Sequence, residues 1–172
     1  TVVKDKQKRA AKEINELRHL RSRADANETL VEILGQAHRQ VIVFAPVLDG
    51  FLFNTSAVAR ALASFAAAHR HNTARFLIEH SAQAVHDNGR IVELCRRFRD
   101  FIKMRQVDED DAGRREMFVI VDGRSYLHQR DIDAPDYLTA LDASRAVRPL
   151  MLEFERMWER GSTIASVITL GL

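Results

Sequence analysis

The run Arg114-Arg115-Glu116-Met117-Phe118-Val119-Ile120-Val121-Asp122-Gly123 sets five consecutive apolar residues between a charged lead and an Asp-Gly pair. Apolar, β-branched runs of this length bounded by turn residues read as strands, and Asp-Gly supplies the backbone freedom of a tight hairpin turn. Met117–Val121 is therefore expected as a strand, Asp122-Gly123 as the turn, and Arg124–Gln129 as the returning strand.

Upstream, Gln40-Val41-Ile42-Val43-Phe44-Ala45 is a continuous apolar run halted by Pro46. It fits a strand covered on both faces by helices. Residues 74–79 form a second such run, and 101–107 alternate with period two. Between them lie an alanine-rich helix from a Thr55 or Ser56 cap to about His71, and a helix over about 89–99. Asp25 or Asn27 can cap an earlier helix that buries Leu30, Ile33 and Leu34. The loops run through Asp49-Gly50, through His80 to Asp87-Asn88-Gly89, and through the acidic turn Asp108–Ala112. Tyr137 to Gly161 reads as one long helix, with Leu138, Leu141, Val147, Leu150, Phe154 and Trp158 on its core face and Gly161 ending it. The apolar tail 163–170 is either a last strand or a covered patch. These elements predict one α/β domain over 25–172, a mixed sheet flanked by helices on both faces. Residues 1–24 form a helical extension, since Ala10, Ile14 and Leu17 recur at helical spacing.

Composition narrows the classes. The chain has 172 residues, 46% of them hydrophobic, with seven Gly and three Pro, which argues against disorder. The single Cys95 excludes an internal disulfide and reads as a core residue. No run is long enough for a membrane span, and the opening residues do not read as a signal-peptide pattern. A bacterial-type cytoplasmic location is the expectation. The chain opens without Met, as an excised piece of a longer protein would. The net charge is +2, yet residues 1–23 carry eight basic and three acidic side chains, hence +5, leaving −3 for the rest. Lys4, Lys8, Arg9 and Lys12 make this arm a candidate anion-binding segment; the alternative is a solvated helix face or linker.

The element order resembles one unit of the phospholipase D superfamily over about 27–161. The likeness rests on the Val-Ile-Val-Phe strand, the small-residue helix, Ala74-Arg75-Phe76-Leu77-Ile78, Ile102-Lys103-Met104-Arg105, the apolar strand ending in Asp122-Gly123, and the close Phe154-Glu155-Arg156-Met157-Trp158. More narrowly, it resembles a proteobacterial domain of that superfamily that can stand beside an acetyltransferase-like domain. The superfamily motif is His-x-Lys-x-x-x-x-Asp. If Asp122 is its Asp, Arg115 stands at the His position and Met117 at the Lys position. The resemblance implies a reaction in which two His residues from paired units attack phosphorus and protonate the leaving group, while two Lys residues hold phosphate oxygens. A single unit would have to dimerise. The family's downstream Gly-Ser-x-Asn segment is replaced by Leu127-His128-Gln129-Arg130. The fold is expected without the reaction, and no catalytic residue is assigned.

Arg115, Asp122, His128 and Arg130 are the candidate ligand-binding residues of this degenerate site, since two Arg and one His can hold phosphate or carboxylate. The alternative has Arg115 paired with the loop Asp108–Asp111, His128 and Arg130 in solvent or paired with Asp131 or Asp133, and Asp122 as a turn residue. Glu79, His80 and Asp49 line either a pocket beyond the strand ends or a polar rim. His69-x-His71 lacks further ligands for a metal, and no Gly-rich phosphate loop occurs; no metal or cofactor is expected. The expected function is a non-catalytic binding or assembly module for an anionic partner, either nucleic acid or a phosphorylated ligand. The alternatives are a phosphodiesterase or nuclease-like enzyme with a relocated site at His128 or His80, and a dimerisation domain carrying a neighbouring catalytic domain. A second copy of the chain and a fused or neighbouring domain are the other candidate partners.

Overall fold

The computed structural model describes Lys4 and residues 17–168. An eight-stranded mixed sheet has the order β1-β7-β6-β5-β2-β3-β4-β8. The strands are β1 (Arg18–Leu20), β2 (Gln40–Ala45), β3 (Thr73–Ile78), β4 (Ile102–Gln106), β5 (Met117–Val121), β6 (Ser125–Gln129), β7 (Tyr137–Ala140) and β8 (Ser162–Thr163). β2, β3 and β4 run parallel; β5, β6, β7 and β1 continue antiparallel from β2. The helices are α1 (Arg23–Gly35), α2 (Gly50–Phe53), α3 (Ser56–Ala68), α4 (Ser81–Asp87), α5 (Gly89–Arg97), α6 (Ser144–Arg160) and α7 (Ala165–Ile168).

Strand alternation sorts the core into two. Val41, Val43, Phe76, Val119 and Leu127 face the layer of α1, α3 and α5. Ile42, Phe44, Leu77, Phe118 and Ile120 face α6, which offers Val147, Phe154, Met157 and Trp158. The expected mixed sheet with helices on both faces is what forms. At one edge Gly161 ends α6 where a side chain does not fit: an added Cβ would lie 3.0 Å from the Gln106 carbonyl oxygen.

Several boundaries differ from the sequence reading. Residues 18–20 are strand, not helix: Arg18, His19 and Leu20 pair with Thr139, Leu138 and Tyr137, so the sheet begins before residue 24. The rest of the expected helical arm, residues 5–16, lies outside the described residues. Tyr137–Ala140 is a strand, not the first turn of the long helix. Asp142 at φ 54° breaks the chain before α6 starts at Ser144. Ser22 caps α1, its Oγ accepting from Asp25 N–H at 3.1 Å, so Asp25 and Asn27 are inside the helix. Asn27 instead donates to the Leu52 carbonyl at 2.8 Å. The stretch after His80 is helical, as α4. The tail forms the short strand β8 and then α7; residues 169–172 are not described.

Asp122 ties the two halves of the sheet together. It and Gly123 both have positive φ, 53° and 66°, with Arg124 N–H bonded to the Val121 carbonyl at 3.1 Å: a type I′ hairpin turn. The Asp122 carboxylate accepts from the backbone N–H groups of His38 (2.9 Å), Arg39 (2.8 Å) and Gln40 (3.0 Å). Across the same seam Val41 to Phe44 pair with Val121 to Phe118. Replacing Asp122 with Ala removes three charge-assisted bonds and forces a β-carbon residue to keep positive φ without a polar side chain. The expected loss is about 2–4 kcal/mol of unfolding free energy in urea denaturation.

Arg75 fastens α6 to the sheet. Its guanidinium lies 5.2 Å from the Phe154 ring centre and 5.5 Å from that of Trp158, and it bonds both oxygens of Glu155, one at 2.8 Å. The hydrogen bond from Arg75 holds the Glu155 carboxyl below its usual range, against the opposing effect of burial. A depressed carboxylate contributes stability that is complete above its unfolded pKa and lost as pH falls through the folded one. The stability of Arg75→Met should therefore fall less steeply than wild type below about pH 4.5, measured by urea midpoints across acid pH.

Candidate functional site

Met117 opens β5 on the side facing α1 and α3, and it is 2% exposed. Met117, which the resemblance would set at the Lys position, is thus a core side chain. Arg115, just ahead of it, is exposed and bound by two carboxylates: Asp131 at 2.9 Å and Asp133. Asp133, then Asp131, raise the guanidinium pKa further. Asp131 in turn is held below the usual carboxylate range, first by the Asp133 N–H and then by Arg115. One cation between two anions leaves a net negative cluster, which repels a phosphate. The acidic loop does not reach Arg115. Asp111 turns inward instead and takes Arg160 at 2.6 Å and Arg156 at 3.2 Å.

His128 pairs across the sheet with Phe118 and faces α6. Its Nε2 lies 3.0 Å from Glu116 Oε2; Glu116 contacts Arg114 at 3.4 Å, and Arg114 binds Glu153. Arg156 also binds Glu153 and lowers its carboxyl pKa most. Through Arg156 the chain of charges reaches Asp111. Neither His128 nor Arg130 pairs with Asp131 or Asp133; Arg130 is exposed, with no ion pair among the described residues. Asp122 lies at the opposite end of β5, on the backbone that precedes β2. The structure therefore places Arg115, His128 and Arg130 toward one end of the β5–β6 pair and Asp122 at the other. Of the arm cations, Lys4 is exposed; Lys8, Arg9 and Lys12 lie outside the described residues.

A cleft of about 490 Å³ opens beyond the carboxyl ends of β2 and β3, where open α/β sheets commonly bind ligands. Of the three residues weighed for a pocket or a polar rim, Asp49 lines the cleft; Glu79 and His80 do not. Arg23 bridges to Asp49 at 3.2 Å and lies 5.1 Å from the exposed Phe51 ring. Gln83 and Asp87 come from α4, and Gln129 from the end of β6. Gln83 donates to Asp87 at 2.7 Å, while its Oε1 is buried without a donor. The buried Tyr137 hydroxyl has its pKa raised by burial and then by Asp49. Its described lining has no Ser, Cys, His or Lys; the groups it presents are the amides of Asn54, Gln83 and Gln129, the Arg23 guanidinium and the carboxylates of Asp49 and Asp87. Among the described residues no group of three His, Cys, Asp or Glu converges on a metal-sized site; the His69 and His71 rings are 5.4 Å apart.

A family model described as Domain of unknown function (DUF7931) matches residues 22–170. The chain belongs to that family. No curated protein matches it in sequence. Solved structures match in fold. Nuc from Salmonella typhimurium, a phospholipase D family member, has a TM-score of 0.61 at 11% identity, over 87% of this chain and 96% of Nuc. NucT from Helicobacter pylori has a TM-score of 0.58 at 14% identity, over 87% and 98%. TrmBL2, an archaeal chromatin protein with a novel mode of DNA binding, has a TM-score of 0.62 at 14% identity, over 93% of this chain and 63% of TrmBL2. This DUF7931 chain thus has the phospholipase D-like fold that its strand order suggested.

Sequence reasoning missed Arg23, Phe51, Gln83, Asp87 and Gln129 as cleft residues. Gln83 and Asp87 would have followed from reading 81–87 as a helix, with Asp87 four residues beyond Gln83. The Arg115 cluster yields its own test. Sulfate should leave the Arg115 side-chain NMR signal of wild type unshifted at millimolar concentration. Asp131→Asn with Asp133→Asn, by removing both competing carboxylates, should produce a saturable shift.

Proposed function

We propose that this DUF7931 domain is a non-catalytic phospholipase D-like module that binds or assembles instead of turning over phosphodiesters. The supporting observation is Met117, sealed in the core where the family resemblance expects a phosphate-holding Lys. Arg115 adds to it: a guanidinium saturated by Asp131 and Asp133 neither attacks phosphorus nor neutralises a phosphate. His128 supports the same reading, because it turns toward α6 and not into the cleft.

The anionic partner is met by the basic arm, not by the degenerate site. TrmBL2, which shares the fold, is a chromatin protein that binds DNA, so nucleic acid is the anion to test first. Purified protein should hydrolyse a chromogenic phosphodiester no faster than buffer. It should bind duplex DNA with an affinity that falls with salt. If Lys4, Lys8, Arg9 and Lys12 each neutralise one phosphate, the log–log slope is about −3.6, and replacing all four with Ala flattens it. Turnover that His128→Ala abolishes would replace this reading with that of an enzyme having a relocated site.

A further inference from the structure

The ten residues Arg96–Arg105 contain five basic side chains (96, 97, 99, 103 and 105) against Asp100 alone, a net of +4. The fold wraps this stretch around a groove of about 310 Å³ at the β8 edge of the sheet, far in strand order from β5. Two of the five cations lie over aromatic rings. Arg97 lies over the Phe98 ring, and Arg105 lies 4.4 Å from the Trp158 ring centre and donates to its carbonyl at 2.9 Å. Arg99 and Lys103 line the groove, are exposed, and make no ion pair among the described residues. Arg96 also lines it. One nitrogen donates to Ser166 at 2.8 Å, tying α5 to α7, while its Nε is buried without an acceptor.

The backbone beside these cations is half-paired. β3 runs along all of β4, but on the other side β8 pairs only Arg105 and Gln106. Of the groups that face that edge, those of Ile102 and the Met104 N–H meet no strand among the described residues, whereas the Lys103 N–H and C=O face β3. A lone edge lysine serves to discourage strand pairing. Three unneutralised cations over an apolar floor do more than that. The floor is Cys95, Met104, Val167 and Ile168, the last 59% exposed. Along β4 the side chains alternate: Ile102 and Met104 turn into the core under α5, while Lys103 points the other way.

We propose that this groove takes an extended acidic peptide of a partner protein, added as a strand along Ile102–Met104. Strand addition draws affinity from main-chain hydrogen bonds and specificity from alternate side chains. The matching sequence alternates apolar residues, seated against Met104 and Val167, with acidic residues beside Lys103 and within reach of Arg99. Nucleic acid fits the groove less well, because no aromatic ring lines it for base stacking and its floor is apolar. The proposal stands on this edge alone and is independent of β5 and of the basic arm.

The test uses the full chain and a fluorescent peptide of alternating valine and glutamate, read by anisotropy and by amide hydrogen exchange. The expected result is binding of this peptide and not of its valine–lysine counterpart, with slowed exchange of the Ile102 and Met104 amides, which face the edge. Arg99→Glu with Lys103→Glu should weaken binding about tenfold or more and transfer preference to the lysine peptide. The proposal is overturned by any of three results: no binding of the acidic peptide, binding that leaves those amides unprotected, or short single-stranded DNA displacing the peptide from the same amides. DNA binding lost with the arm cations while peptide binding persists would leave the proposal standing and separate it from the anion-binding reading above.

Discussion

The antiparallel pairing of β2 with β5 is the joint on which this fold depends. On one side lie three parallel strands, and on the other four strands that return antiparallel. Both joint strands are apolar on both faces, so a slip of one residue would exchange the side chains of two separate cores. The Asp122 carboxylate fixes the register by gripping three successive amides at the entrance to β2. The Asp122 carboxylate is here a backbone fastener. Its cost in conformational strain is lowered by the tolerance of Asp for positive φ and by the glycine that follows.

The same strand decides what the site can do. Period-two alternation sends Met117 inward with Val119 and Val121, so its apolarity agrees with its surroundings. The charged residues on either side are absorbed by neighbours: Arg115 by Asp131 and Asp133, Glu116 by His128 and Arg114. The acidic turn after β4 is likewise absorbed, since Asp111 is buried against two arginines of α6. Such pairing keeps a desolvated carboxylate tolerable and binds the turn to the helix. Charges that look free in the sequence are largely spoken for, and those that stay free lie elsewhere.

The sheet core was legible because buried strands write themselves as unbroken apolar runs, as at Val41–Ala45 and Met117–Val121. Short edge elements were not. Leu138 and Leu141 stand three apart, a spacing that also suits a helix, and only pairing with β6 and β1 makes Tyr137–Ala140 a strand. Arg18 and His19 are exposed and Leu20 alone is half-buried, so nothing in their pattern announces a strand; the partner supplies the structure. At the degenerate site, sequence spacing located Arg115 and Met117 at the head of β5. It did not give the partners of Arg115, because Asp131 and Asp133 come close only through the turn after β6. His128 was placed near that strand end by the hairpin register, yet its face followed only once Phe118 was seen opposite it.

The sheet is an unbroken wall between two unequal chambers, one roofed by several helices and the other mainly by α6. Among the described residues the buried apolar side chains sort into two separate clusters, one on each face. Paired substitutions within a chamber should therefore interact strongly in their effects on stability, whereas pairs split by the wall should simply add. Each side is then free to change its packing on its own schedule, and the half beneath α6, resting on one helix, has less room to absorb a defect.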